Sequence, residues 1–206
     1  MRRYHLVIAA VAALALVVGL GALIGLRGSP FGFDSEWMTE VLEERAAWFT
    51  IPALLMDFLG GGWFAVFVVP LGGALVLLLL RKRWEALYWV LGSALSAGLV
   101  QAFKALFGRA RPEDILLIHV DAGSFPSGHV ANAATIAVML GLIVRRAWVW
   151  AAGVAYVVLM ALSRTYLGAH WVSDTLGGAL LGAAVAVLVW SLIPPLHRPR
   201  PGAAPV

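Results

Sequence analysis

The sequence contains no cysteine, so it has no disulfide framework, no thiolate metal site and no cysteine nucleophile. Charge is scarce as well: 13% of residues are Asp, Glu, Lys or Arg, against about 25% in soluble domains. That is too few to coat a water-exposed surface. Together with 62% apolar residues and a mean hydropathy of +0.90, it argues against a soluble globule and excludes a disordered chain. The single asparagine, Asn132, is followed by two alanines and is no glycosylation acceptor. No internal repeat or low-complexity block is present. A net charge of +4 would serve nucleic-acid binding only if the basic residues gathered on a solvated face.

Uncharged runs long enough for a bilayer core, which takes roughly 20 helical residues, occur at 6–26, 58–80 and 86–103. Two shorter ones, 130–144 and 147–162, reach full length by borrowing flanking residues, and 175–193 completes the set. The composition therefore predicts an all-α, polytopic membrane bundle of six transmembrane helices, a single domain over 1–206. The first run exceeds the roughly 7–15 residues of a signal-peptide core, and five more follow it, so it reads as a retained span.

Lys and Arg in the short loops set the orientation. With a cytoplasmic N-terminus, the inner segments hold Arg2, Arg3, Arg81, Lys82, Arg83, Arg145, Arg146, Arg198 and Arg200 with one acid, Glu85, and the outer segments take the other ten acids. The basic balance is thus explained by topology, and no nucleic-acid partner is expected. This reading puts the protein in the plasma (inner) membrane as a multi-pass protein with both termini cytoplasmic. Residues 36–49 of the first outer loop carry Trp37, Met38, Val41, Leu42, Trp48 and Phe49 near helical spacing. They predict a short interfacial helix or, equally, a lid packed on the bundle. The proline-rich end, 194–206, reads as a disordered cytoplasmic tail.

Ionisable groups near membrane depth are costly and point to function. Three groups fall on the outer side. The first holds Lys104, Arg111 and Pro112; the cations are seven residues apart and share a helical face if the helix persists that far. Alone, they read better as snorkelling anchors, the usual role of basic residues at span ends. The second is Pro126-Ser127-Gly128-His129 at the start of an apolar helix, where free N–H groups and the dipole favour an anion. Glycine allows close approach there, and His129 is placed to donate a proton. The third holds Ser163, Arg164, His170 and Asp174. His170 and Asp174 are four apart, so on a helix the carboxylate orients the imidazole, which is then available as nucleophile. Arg109, Glu113, Asp114 and His119 lie in the connecting loop; they could read the rest of a bound group, but as surface-loop residues they are more readily expected to be solvated.

Three cations, a helix N-terminus, two histidines and a carboxylate are the composition that phosphoryl transfer asks for: charge neutralisation, an in-line nucleophile and an acid for the leaving group. Magnesium needs more carboxylates than Asp174 supplies, and three neighbouring cations repel zinc. The residues therefore predict a phosphatase with neither metal nor other cofactor.

At these positions the chain resembles the type-2 phosphatidic acid phosphatase family, whose relatives include the vanadium haloperoxidases. Its signature of Lys, six residues, Arg-Pro, then Pro-Ser-Gly-His, then Ser-Arg, five residues, His, three residues, Asp is matched throughout, over residues 104–174. The resemblance implies that His170 attacks phosphorus to form a phosphohistidine, that Asp174 orients it, and that His129 protonates the leaving oxygen and then activates water. Lys104, Arg111, Arg164, Ser127 and Gly128 would hold the phosphate. It further implies a membrane lipid substrate drawn from the phospholipid bilayer and cleaved at the extracytoplasmic face, undecaprenyl diphosphate first. Phosphatidate or phosphatidylglycerophosphate is the alternative. More distant are a vanadate-dependent haloperoxidase, disfavoured by six spans in so short a chain, and a lipid transporter without chemistry.

Overall fold

A computed structural model describes residues 3–112, 116–120, 123–193 and 196, and the described residues contain helices and no strand. The helices are α1 (Arg3–Arg27), α2 (Gly32–Glu43), α3 (Ala47–Gly60), α4 (Val69–Leu79), α5 (Arg83–Phe107), α6 (Gly128–Val144), α7 (Ala147–Tyr166) and α8 (Val172–Leu192). A single π-helical turn, Phe64–Val68, leads into α4. The expected tail, 194–206, lies outside the described residues apart from Leu196.

Helices α6 and α8 form the centre. α6 packs most heavily on α8 and α7, α1 and α5 close on α8, and α3 lies along α7. Val17 of α1, Tyr88 and Val100 of α5, Met139 of α6 and Leu181 and Val185 of α8 meet in one buried cluster. Apolar contact alone drives little association where the surroundings are equally apolar, so close backbone approach and internal hydrogen bonds take its place. A Cβ on Gly178 would lie 2.4 Å from the Ser127 carbonyl oxygen, so only glycine brings α8 against the start of α6. Tyr88 donates its buried hydroxyl to the Ala186 carbonyl at 2.9 Å, and Thr135 donates to Ser96 Oγ at 2.8 Å. On the outside, Leu16, Leu23, Ile51, Leu55, Phe67 and Leu79 are exposed, as a lipid-facing surface requires.

By length and apolarity four helices are candidate spans, α1, α5, α7 and α8, and a fifth if α3 and the segment through α4, bent by 44°, count as one. α6 has 17 residues, at the lower end of the range. The expected second span also changes: a helix begins at Ala47 and breaks at the glycine run 60–62, since glycine is a poor helix former. A short helix does form in the first loop, at Gly32–Glu43 and not at 36–49; Trp48 and Phe49 belong to α3. One face of α2 is taken up by the bundle, with Asp34 and Met38 buried against α7 and α8.

Candidate active site

The chain stops being helical where the motifs lie. Gly108, with φ of 54°, ends α5, so Lys104 and Arg111 do not share a helical face as the spacing allowed. They converge by another route. Lys104 Nζ donates to the Gly123 carbonyl at 2.6 Å, and Arg111 donates to the same oxygen at 3.1 Å and to the Ala169 carbonyl at 2.6 Å. The two cations thereby hold the loop before α6 against the loop before α8. Ser124 N–H donates to the Arg109 carbonyl and Ser127 N–H to the Asp174 carbonyl, at 2.8 and 3.0 Å, which closes the cluster.

His170 and Asp174 likewise do not share a helix. His170 precedes α8, and Asp174 sits in its first turn, where its carboxylate accepts the Trp171 N–H at 2.9 Å as a cap. Both are buried. Asp174 Oδ2 accepts the Ser124 hydroxyl at 2.5 Å and lies 3.6 Å from His170 Nδ1, which is itself 3.5 Å from Ser124 Oγ. The carboxylate thus faces Nδ1 partly through a serine hydroxyl. On the other side of the ring, Arg111 stands 3.4 Å from Nε2. Burial pushes the His170 imidazole down to about 3 from its ordinary 6.5, against the pull of Asp174 and with help from Arg164 and Arg111. The ring is therefore neutral at physiological pH, and with Asp174 and Ser124 at Nδ1 its Nε2 lone pair faces Arg111.

His129 is the second residue of α6, and Arg164, in the last turn of α7, is buried. Both meet Asp57 of α3: the carboxylate accepts from Arg164 and lies 3.1 Å from His129 Nε2. Two polar atoms in this region, Ser127 Oγ and Arg164 Nε, are buried without a hydrogen-bond partner among the described residues. An unpaired buried donor is expensive. Phosphate oxygens would satisfy both.

Three charged residues that bind this site together were not assigned by sequence reasoning. Arg109, expected to be solvated, is buried: it donates to Asp174 Oδ1 at 2.6 Å, Asp34 Oδ2 at 2.8 Å and Ser173 Oγ at 2.6 Å, between the faces of Phe31 and Trp171. Asp34, fully buried, also accepts the Ser173 N–H at 2.9 Å. Asp57 carried a local signal, being a lone acid in an apolar run. Asp34, one of several acids in its loop, carried none. His119 is exposed as expected, whereas Glu113 and Asp114 lie outside the described residues. Among the described residues no three His, Asp or Glu side chains group to hold a metal ion.

The PAP2 superfamily model matches residues 85–198. The chain is 29% identical to phosphatidylglycerophosphatase B of Bacillus subtilis over 164 residues, covering 75% of this chain and 73% of that protein. It is 31% identical to an undecaprenyl-diphosphatase of Sulfolobus acidocaldarius over 121 residues, 56% of this chain and 58% of that protein. The crystal structure of a transmembrane PAP2-type phosphatidylglycerolphosphate phosphatase from Bacillus subtilis superposes with a TM-score of 0.79 at 27% identity, covering 93% of this chain and 98% of the other.

Proposed function

The chain belongs to the PAP2 superfamily of membrane lipid phosphatases, and from that premise we propose that it removes the terminal phosphate of a lipid phosphate or diphosphate at the extracytoplasmic face, through a phosphohistidine. The observation that carries this reading is the pair of unpartnered buried donors, Ser127 Oγ and Arg164 Nε, in the cluster that holds a neutral His170 with Arg111 at its Nε2. In the first step His170 Nε2 forms a bond to phosphorus as the bond to the leaving oxygen breaks, and that oxygen takes a proton from His129. Arg111, Arg164, Lys104, Ser127 and the Gly128 backbone stabilise the equatorial oxygens, while Asp174 and Ser124 hold the imidazole through Nδ1. In the second step a water molecule gives a proton to His129 and its oxygen to phosphorus. The N–P bond breaks, inorganic phosphate leaves, and His170 is restored. None of the steps requires a metal ion.

Undecaprenyl diphosphate is the first substrate reading, on the notion that an isoprenoid carrier is recycled at this face. Phosphatidylglycerophosphate is the second, favoured by the wider similarity to the Bacillus subtilis enzyme. Purified protein offered both lipids, phosphatidate and water-soluble phosphates is expected to release phosphate from at least one lipid, undiminished in excess EDTA. Loss of turnover with chelator, restored by magnesium, would overturn the metal-free mechanism.

We also propose six spans with α6 as the fourth, both termini cytoplasmic and the plasma membrane as the location, on the strength of the basic inner loops. Epitope tags at both ends are expected to resist external labelling in intact cells. A tag labelled from outside contradicts this orientation.

A further inference from the structure

The three motifs supply His170 with a carboxylate but give His129 none. In the structure His129 has one, contributed by α3, outside residues 85–198 that the family model matches. Asp57 Oδ1 lies 3.1 Å from His129 Nε2, and the Asp57 backbone carbonyl lies at 3.1 Å from the same nitrogen. The carboxylate also accepts from Arg164, which is almost fully buried. The end of α3 lies close against the imidazole: a Cβ on Gly61 would stand 2.0 Å from His129 Nε2, so a side chain there would push the ring out of its present position. The pair is not sealed, with 21% of the His129 side chain and 29% of the Asp57 side chain exposed, so an incoming group can reach it. The charged groups that face this ring are Asp57 from α3 and Arg164 from α7.

Resting on the reading of His129 as the acid–base group, we propose that Asp57 is its positioning residue. Both acceptors of Asp57 address Nε2, so the proton stays on that nitrogen and Nδ1 becomes the one that trades protons with substrate and water. In the first step the imidazolium gives its Nδ1 proton to the leaving oxygen, leaving a neutral ring whose Nε2–H remains bonded to Asp57. In the second, Nδ1 takes a proton from water and the imidazolium is restored beside the carboxylate. α3 is thereby part of the catalytic apparatus as well as a lipid-facing helix.

The test compares two esters of the same phosphoryl group, an alkyl lipid phosphate and a nitrophenyl phosphate whose leaving oxygen needs no proton. Asp57→Asn is expected to lower kcat for the alkyl ester on the order of 10- to 100-fold. Its pre-steady-state release of nitrophenol should stay within about threefold of the unsubstituted protein, the pattern expected also of His129→Gln. Equal losses on both esters, or faster alkyl turnover with a lower KM, would overturn the proposal; the second result would make Asp57 a competitor of the phosphate. A split in His129→Gln that is missing in Asp57→Asn overturns it while leaving the acid role intact. An unsubstituted protein inactive on both esters, or a His129→Gln variant without the split, instead sinks the reading on which it rests. If Asp57→Asn does not fold, the ¹⁵N shifts of His129 in the unsubstituted protein decide: a neutral ring protonated on Nε2 is expected, and one protonated on Nδ1 overturns the proposal.

Discussion

His170→Ala is expected to abolish phosphate release, by at least about 10³-fold, because it removes the proposed nucleophile and with it the proposed covalent route. Labelled phosphate should accumulate on the unsubstituted protein when turnover is quenched in alkali, and be released by acid, as a phosphohistidine requires. The variant should carry none. Base-stable label on the variant, or undiminished turnover, would remove His170 from the reaction. The protonation state offers a second check. With the imidazole held at about 3 from its ordinary 6.5, the folded protein refuses a proton that the unfolded chain accepts. The stability this group contributes is then fully present above pH 6.5 and is lost progressively as pH falls towards 3. In ¹³C-labelled protein, the histidine resonance that disappears in His170→Ala should not titrate between about pH 5 and 8. A midpoint near 6.5 would contradict the buried, neutral ring.

Arg109→Met is expected to be the most destabilising change outside the reacting groups. Asp34 and Asp174 are both fully buried, and Arg109 pairs with each. Removing one member of a buried charge network costs about 3–5 kcal/mol, because the remaining charges stay desolvated without their counter-ion. Here two carboxylates would lose their cation at once. Their remaining donors, Ser173 and the Phe31 N–H for Asp34 and Ser124 and the Trp171 N–H for Asp174, are neutral and offset only part of that cost. Thermal unfolding in detergent, followed by tryptophan fluorescence, should show the midpoint lowered by roughly 10 °C. Adding Asp34→Asn to Arg109→Met should recover part of the loss, since the double variant no longer buries that unpaired charge. A midpoint within about 2 °C of the unsubstituted protein would show that the network contributes little. Activity should fall as well, because Asp174 would lose the cation that holds its Oδ1 at 2.6 Å and with it a fixed position beside His170.

These two experiments address residues that were differently legible. His170, His129, Arg164 and Asp174 stand in motifs whose spacing is short and whose residue types state their chemistry, so the reading of a phosphoryl-transfer site needed only local sequence. The local geometry was less secure. The spacing of Lys104 and Arg111 allows a shared helical face if the helix persists between them, yet Gly108 ends it and they meet at the Gly123 carbonyl. The spacing of His170 and Asp174 lets the carboxylate reach the ring if both lie on a helix, yet α8 starts after His170, and Ser124 comes between the ring and the carboxylate. In both cases a four- or seven-residue spacing was compatible with a helix, and the turn residues chose otherwise.

Composition and the placement of basic residues were sufficient to indicate a membrane bundle, because lipid imposes its length and polarity demands on each segment separately. The same independence of segments explains what could not be read. Asp57 meets His129 across 72 positions, Arg109 meets Asp34 across 75, and Arg109 meets Asp174 across 65. No periodicity links such pairs. Whether an acid in a loop is solvated or buried as a counter-ion depends on where α2 and α3 come to rest against α7 and α8, which is settled by the packing of their whole faces. The sequence by itself determined the solvent and the helical class, and supplied the motifs from which the reacting groups are proposed. Only the tertiary structure decided which charges neutralise one another, because desolvation couples residues through space and leaves no trace in their spacing.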